Sequence, residues 1–135
     1  MAEGRTMNGM SIARSGLEAS MLRLTASASN IANAQSNGAV PGSGGQAAYQ
    51  PVRAELSPGA GGGVQGRLVP VDPAYRLTYD PASVHANAQG MIAAPNVDIT
   101  GELVEQLSTR LAFEANLKTV STSSEMERRS IQLWG

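Results

Sequence analysis

Few residues in this chain are of types that carry acid–base or nucleophilic chemistry. His85 is the single histidine and there is no cysteine. No serine sits in a nucleophile elbow. His85 lies beside Val84 and Ala86-Asn87 in a proline-bounded stretch, the setting of a solvated or turn histidine, whereas a catalytic site needs several partners. Asp72 and Asp80 each precede a proline and read as turn formers. Glu125 and Glu127 stand beside Arg128 and Arg129 and read as a solvated or ion-paired helix face. The run Gly59-Ala60-Gly61-Gly62-Gly63 lacks the Lys and Ser/Thr of a phosphate loop. No catalytic residue, cofactor or metal ligand is expected, and the chain reads as something other than an enzyme.

The elements that would position any function are two long helical arms. In the first, over about 11 to 37, Leu17, Met21, Leu24, Ala28 and Ile31 recur at steps of four and three, which places an apolar seam on one side of a helix. The flanks are small residues (Ala13, Gly16, Ala19, Ser20, Ser27) where a surface helix ordinarily carries Lys and Glu. Such flanks let other backbones come close. Asn8 or Ser11 is placed to cap the start, and Gly38 with Pro41-Gly42 to end the helix. Residues 1–10 read as a flexible lead-in.

All seven prolines and most glycines fall within 38–95, so this stretch is not helical for long. It is expected to form a small β-rich outer domain with Gly/Pro-rich loops. Strand character appears at 49–56, 64–71 and 75–79, the last alternating Tyr75, Leu77 and Tyr79 with Arg76 and Thr78. A small antiparallel sheet edged by Pro51 and Pro70 is expected, followed by an irregular connection from 83 to 98.

The second arm is expected to start at an Asp98 N-cap, with Glu102 and Glu105 near the positive end of the helix dipole, and to run to about residue 133. Ile99, Leu103, Leu107 and Leu111 form one row; Phe113, Leu117, Val120, Ile131 and Trp134 continue on a shifted one. Such a shift means that the strip facing a neighbour rotates, or that there is more than one neighbour. The fold class is therefore mainly α with a small β region: terminal helices packed as a coiled-coil-like pair, 11–37 with 96–135, around a central β-rich segment.

Composition limits the core. One Phe, one Trp, three Tyr and 41% apolar residues, many of them Ala, bury little area per residue, and burial stabilises by only about 25 cal/mol per Å². Stability should come from neighbours. Ten basic and eleven acidic residues leave no electrostatic footprint for nucleic acid. No apolar run approaches the roughly 20 residues needed to span a bilayer, and the first ten residues lack the apolar stretch of a cleavable signal.

Ser29-Asn30-Ile31-Ala32-Asn33-Ala34 followed by Gly38, and Pro95-Asn96-Val97-Asp98-Ile99 followed by Glu102, Arg110, Phe113-Glu114-Ala115-Asn116 and a terminal Gln132-Leu133-Trp134-Gly135, resemble the two ends of flagellar axial proteins of the rod and hook. With Tyr79-Asp80-Pro81 and an Ala-Asn-Ala-x-Gly turn, the chain is similar above all to the proximal-rod members of the flagellar basal-body rod family. The resemblance implies a structural subunit, exported unfolded by the flagellar type III apparatus without a cleavable signal. It would assemble with itself and other rod proteins into a helical tube that crosses the periplasm and transmits torque for motility. Subunit contacts are then expected at Leu17, Met21, Leu24, Ala28, Asn30, Ile31, Asn33, Leu103, Leu107, Leu111, Phe113, Leu117, Val120, Ile131 and Trp134. The alternatives are another axial rod or hook protein, or a monomeric module whose helices support a ligand pocket around Tyr75, Tyr79 and His85.

Overall fold

A computed structural model of the chain describes residues 9–135. The elements in order are α1 (Gly9–Ala32), β1 (Val52–Pro58), β2 (Val64–Pro70), β3 (Tyr75–Tyr79), β4 (Met91–Pro95) and α2 (Ile99–Trp134). The fold is mainly α with a small β region, as expected. Residues 1–8 of the expected lead-in lie outside the described residues, as does the candidate cap Asn8. Gly9 and Met10 are already helical, and so is Ser11, the other candidate cap.

At 1.5 Å per residue α1 is roughly 36 Å long and α2 roughly 54 Å. They run antiparallel: Gly16 meets Asn116, Arg23 meets Glu105 and Ser27 meets Glu102. In this register Gly9 stands near residue 123, so that α2 extends roughly 15 Å past the described start of α1. Asp98 occupies the N-cap of α2 in an extended conformation, but its side chain makes no capping hydrogen bond. The helix ends at Ala32, short of the expected Gly38. Just beyond it Asn33 donates twice to the Ser29 carbonyl, from its backbone N–H at 3.1 Å and from its Nδ2 at 2.9 Å. Gly38 has another task. It exchanges two backbone hydrogen bonds with Ala93, both 2.9 Å, and a Cβ there would overlap the backbone nitrogen of Ala48.

The β region holds two two-stranded antiparallel sheets in place of the single one expected: β1 with β2, and β3 with β4. Strand β4, expected as irregular chain, pairs Tyr75 with Pro95 through Tyr79 with Met91. Its sequence, Met-Ile-Ala-Ala-Pro, has no apolar–polar alternation because both of its faces are covered, with Ile92 and Ala93 buried.

The β1–β2 hairpin lies along α1. Its closed end is fixed where the Val64 N–H donates to Ser15 Oγ at 3.1 Å, and its open end where Val52 meets Asn30. Ser15 and Asn30 are about 22 Å apart along the helix, matching a seven-residue strand at 3.3 Å per residue. Leu22, Leu56 and Gly66 fill the contact between these anchors. The outward face of the hairpin carries the ion pair between Arg67 Nε and Glu55 Oε2 at 2.8 Å.

Candidate assembly interface

The residues with chemical potential are scattered. His85 lines a pocket with Ser43, Gln46 and Asn87; its backbone N–H donates to Ser83 Oγ. Tyr75 lines a different pocket of about 300 Å³ with Val40, Pro41, Tyr49 and Ala93. Tyr79 is exposed, four residues and roughly 13 Å along β3 from Tyr75. The structure therefore does not bring Tyr75, Tyr79 and His85 into one pocket. Gly59 to Gly63 form the turn between β1 and β2. Glu125, Glu127, Arg128 and Arg129 are exposed on α2. Among the described residues no group of His, Asp and Glu is placed to hold a metal, and no helix is long and apolar enough to cross a membrane.

The informative geometry is in the helix pair. The buried residues of α1 are Ala13, Ala19, Ser20, Ala26, Ser27 and Asn30. The row facing α2 is Ala13, Gly16, Ser20, Arg23, Ser27 and Asn30, at alternating steps of three and four. The expected bulky seam, Leu17, Met21, Leu24, Ala28 and Ile31, is this row shifted by one residue, hence by about 100° around the helix. Leu17, Leu24 and Ile31 are half-buried on its flank, while Met21 and Ala28 are exposed. Small and polar residues, not the bulky seam, therefore face the partner arm.

On α2 the facing row is Glu102, Glu105, Thr109, Ala112 and Asn116, with Thr109 completely buried. Arg23 Nε donates to Glu105 Oε1 at 2.6 Å, and Thr109 Oγ1 reaches the same oxygen at 3.4 Å. Ser27 Oγ donates to the Glu102 carbonyl at 3.1 Å. The row of leucines stands outside. Leu103, Leu107 and Leu111 are exposed, Leu107 by 61%. Leu117, Ile131 and Trp134 are exposed too, Trp134 by 90%, and Phe113 and Val120 are half-buried.

Asn30 is the exception among the expected subunit contacts, being only 2% exposed. Its Oδ1 accepts from the Val52 N–H and from Tyr49 OH, both at 3.0 Å. Its Nδ2 donates to the Val52 carbonyl at 2.7 Å and to Glu102 Oε1 at 2.9 Å. The fixed polarity of the Val52 backbone dictates which way the amide points. Asn33 is half-buried at the helix end. Sequence reading treated Glu102 and Glu105 as helix-dipole residues and passed over Arg23, Tyr49 and Thr109. The partners of Arg23 and Tyr49 come from distant parts of the chain, and local periodicity carries no trace of them, while Thr109 bonds Glu105 one turn away.

Residues 88–133 match a family model described as flagellar basal body rod FlgEFG protein C-terminal. Over nearly the whole length the chain is similar to proteins named flagellar basal-body rod protein FlgC. It is 35% identical to that of Yersinia enterocolitica, covering 94% of this chain and 96% of the relative. It is 33% identical to that of Salmonella typhimurium with the same coverage, and 29% identical to that of Aquifex aeolicus. A chain with this identity and coverage, folded as a helix pair around a small β region, belongs to the FlgC family of flagellar basal-body rod proteins, structural components of the flagellar basal body.

Proposed function

We propose that the chain is a building block of the proximal rod that assembles through its terminal helices into a helical tube crossing the periplasm, and that the tube transmits torque for motility. It would reach that place through the flagellar export apparatus without a cleavable signal, with copies of itself and other rod proteins as partners. One observation carries this reading: the helix pair closes on small and polar rows and leaves Met21 on α1 and the row Leu103, Leu107 and Leu111 on α2 in solvent. Exposed apolar rows of this extent mark surfaces made for another molecule. If the Met21 face of α1 in one copy meets the leucine row on α2 of the next in a head-to-tail sense, the contact is heterologous, and a heterologous contact that does not close into a ring builds a filament.

The test uses Met21→Asp, Leu107→Asp and Leu117→Asp, three positions exposed in the free chain, in motile cells. Burying a leucine is worth about 1.5–3 kcal/mol, and a buried unpaired charge costs several kcal/mol more, but only where the assembly removes the side chain from water. Each variant should be secreted at normal levels, yet be missing from recovered basal bodies and leave cells non-motile. Normal incorporation of all three overturns the reading.

A further inference from the structure

We infer that Asn30 and Glu102 form a latch that makes docking of the β1–β2 hairpin conditional on pairing of α1 with α2. Hairpin docking engages Asn30 first through Val52, whose N–H and carbonyl take up the Asn30 Oδ1 and one Nδ2 hydrogen at 3.0 and 2.7 Å. With α2 also in place the side chain is 2% exposed, and the second Nδ2 hydrogen, closed off by hairpin and α2 together, needs an acceptor inside the chain, because a buried unsatisfied donor forfeits its full hydration. The acceptor present is Glu102 Oε1 at 2.9 Å, and it comes from α2. Glu102 is held in place in turn, its backbone carbonyl accepting from Ser27 Oγ, so it is present only when the two arms lie together. With the arms apart, that hydrogen is left to water and Val52 alone orients the amide; with the arms paired, Glu102 fixes the amide in the orientation that Val52 uses, and every hydrogen-bonding site is taken up. Tyr49 extends the latch, its OH bonding both Asn30 Oδ1 and Ser29 Oγ, so the segment leading into β1 is tied to the same point. A copy whose arms have not paired would therefore carry a loose hairpin, and pairing would fix the hairpin along α1.

Hydrogen exchange of the full chain, followed by mass spectrometry, tests the latch independently of assembly. Glu102 bonds Asn30 and not the hairpin, so a merely local role predicts that Glu102→Ala affects only the first turns of α2. The latch predicts that Glu102→Ala also speeds exchange of the β1 amides about tenfold, the loss of one charge-assisted hydrogen bond. Glu102→Gln, which keeps an acceptor, should stay near wild type. Asn30→Ala should loosen hairpin and helix pair together, and adding Glu102→Ala to it should change little more. Exchange in β1 untouched by Glu102→Ala, strictly additive effects of the two substitutions, or a wild-type β1 without protection would each overturn the inference.

Discussion

Gly16 of α1 and Asn116 of α2 meet at the helix crossing so closely that a Cβ on Gly16 would lie 2.7 Å from the Asn116 Nδ2. A helix interior ordinarily disfavours glycine by about 1 kcal/mol relative to alanine, so the close approach is what this residue gives in return. Gly16→Ala should be nearly neutral, since the helix gains propensity while the flexible amide of Asn116 moves aside. Gly16→Leu should force the arms apart and destabilise the chain by about 1–3 kcal/mol, read as a lowered melting temperature by circular dichroism. Asn116→Ala should recover part of that loss.

At Gly38 the obstacle is backbone, not a side chain that can turn away. A Cβ would overlap Ala48 N and stand 2.6 Å from the Gln46 carbonyl oxygen. Gly38→Ala should therefore break the paired hydrogen bonds to Ala93 and lower stability by about 1–3 kcal/mol. Faster amide exchange at Ala93 locates the damage, and an unchanged Ala93 amide would contradict it.

The two helices and three of the four strands are legible in the sequence, because prolines and periodicity are local signals. The packing face of α1 is not. Two rows with identical three–four spacing run side by side, one bulky from Leu17 to Ile31 and one small from Ala13 to Asn30. Hydrophobicity alone favours the bulky row for the interior. What selects the other is polar matching to Glu102 and Glu105, which lie more than seventy residues away. Strand β4 escaped for a related reason: a strand covered on both faces loses the alternation by which a strand is recognised. That Leu103, Leu107 and Leu111 of α2 stand in solvent, away from α1, is not legible either, since their spacing is that of a packed helix face.

The ion pair on the outer face of the hairpin should matter little. Arg67 and Glu55 form a short contact, yet the Arg67 side chain is 76% exposed, and exposed pairs contribute about 0–1 kcal/mol. Arg67→Ala should shift the melting temperature slightly at low salt and not at all in 1 M salt, where screening removes what attraction exists. A large, salt-independent loss would mean that Arg67 does more than pair with Glu55.

The division of labour between the two faces of the arms predicts opposite outcomes for two substitutions. Ser20 is 4% exposed in the row that meets α2. Leucine there has no room, and overpacking a closed crossing costs about 1–3 kcal/mol, so Ser20→Leu should lower the melting temperature of the isolated chain. Leu107 faces solvent in the same chain. Leu107→Ser therefore removes little that the folded monomer buries and should leave the stability within about 0.5 kcal/mol of wild type, with the melting temperature nearly unchanged. In cells the ranking by stability should not carry over. If the leucine rows are covered only in the assembled rod, Leu107→Ser loses motility although its monomer is intact, and loses it more severely than an exposed polar change such as Glu127→Ala. Melting curves of the purified chains beside swimming assays and basal-body recovery separate the two faces. A Leu107→Ser chain that is destabilised alone, or that swims normally, removes the distinction between an inner face that folds the molecule and an outer one that joins it to others.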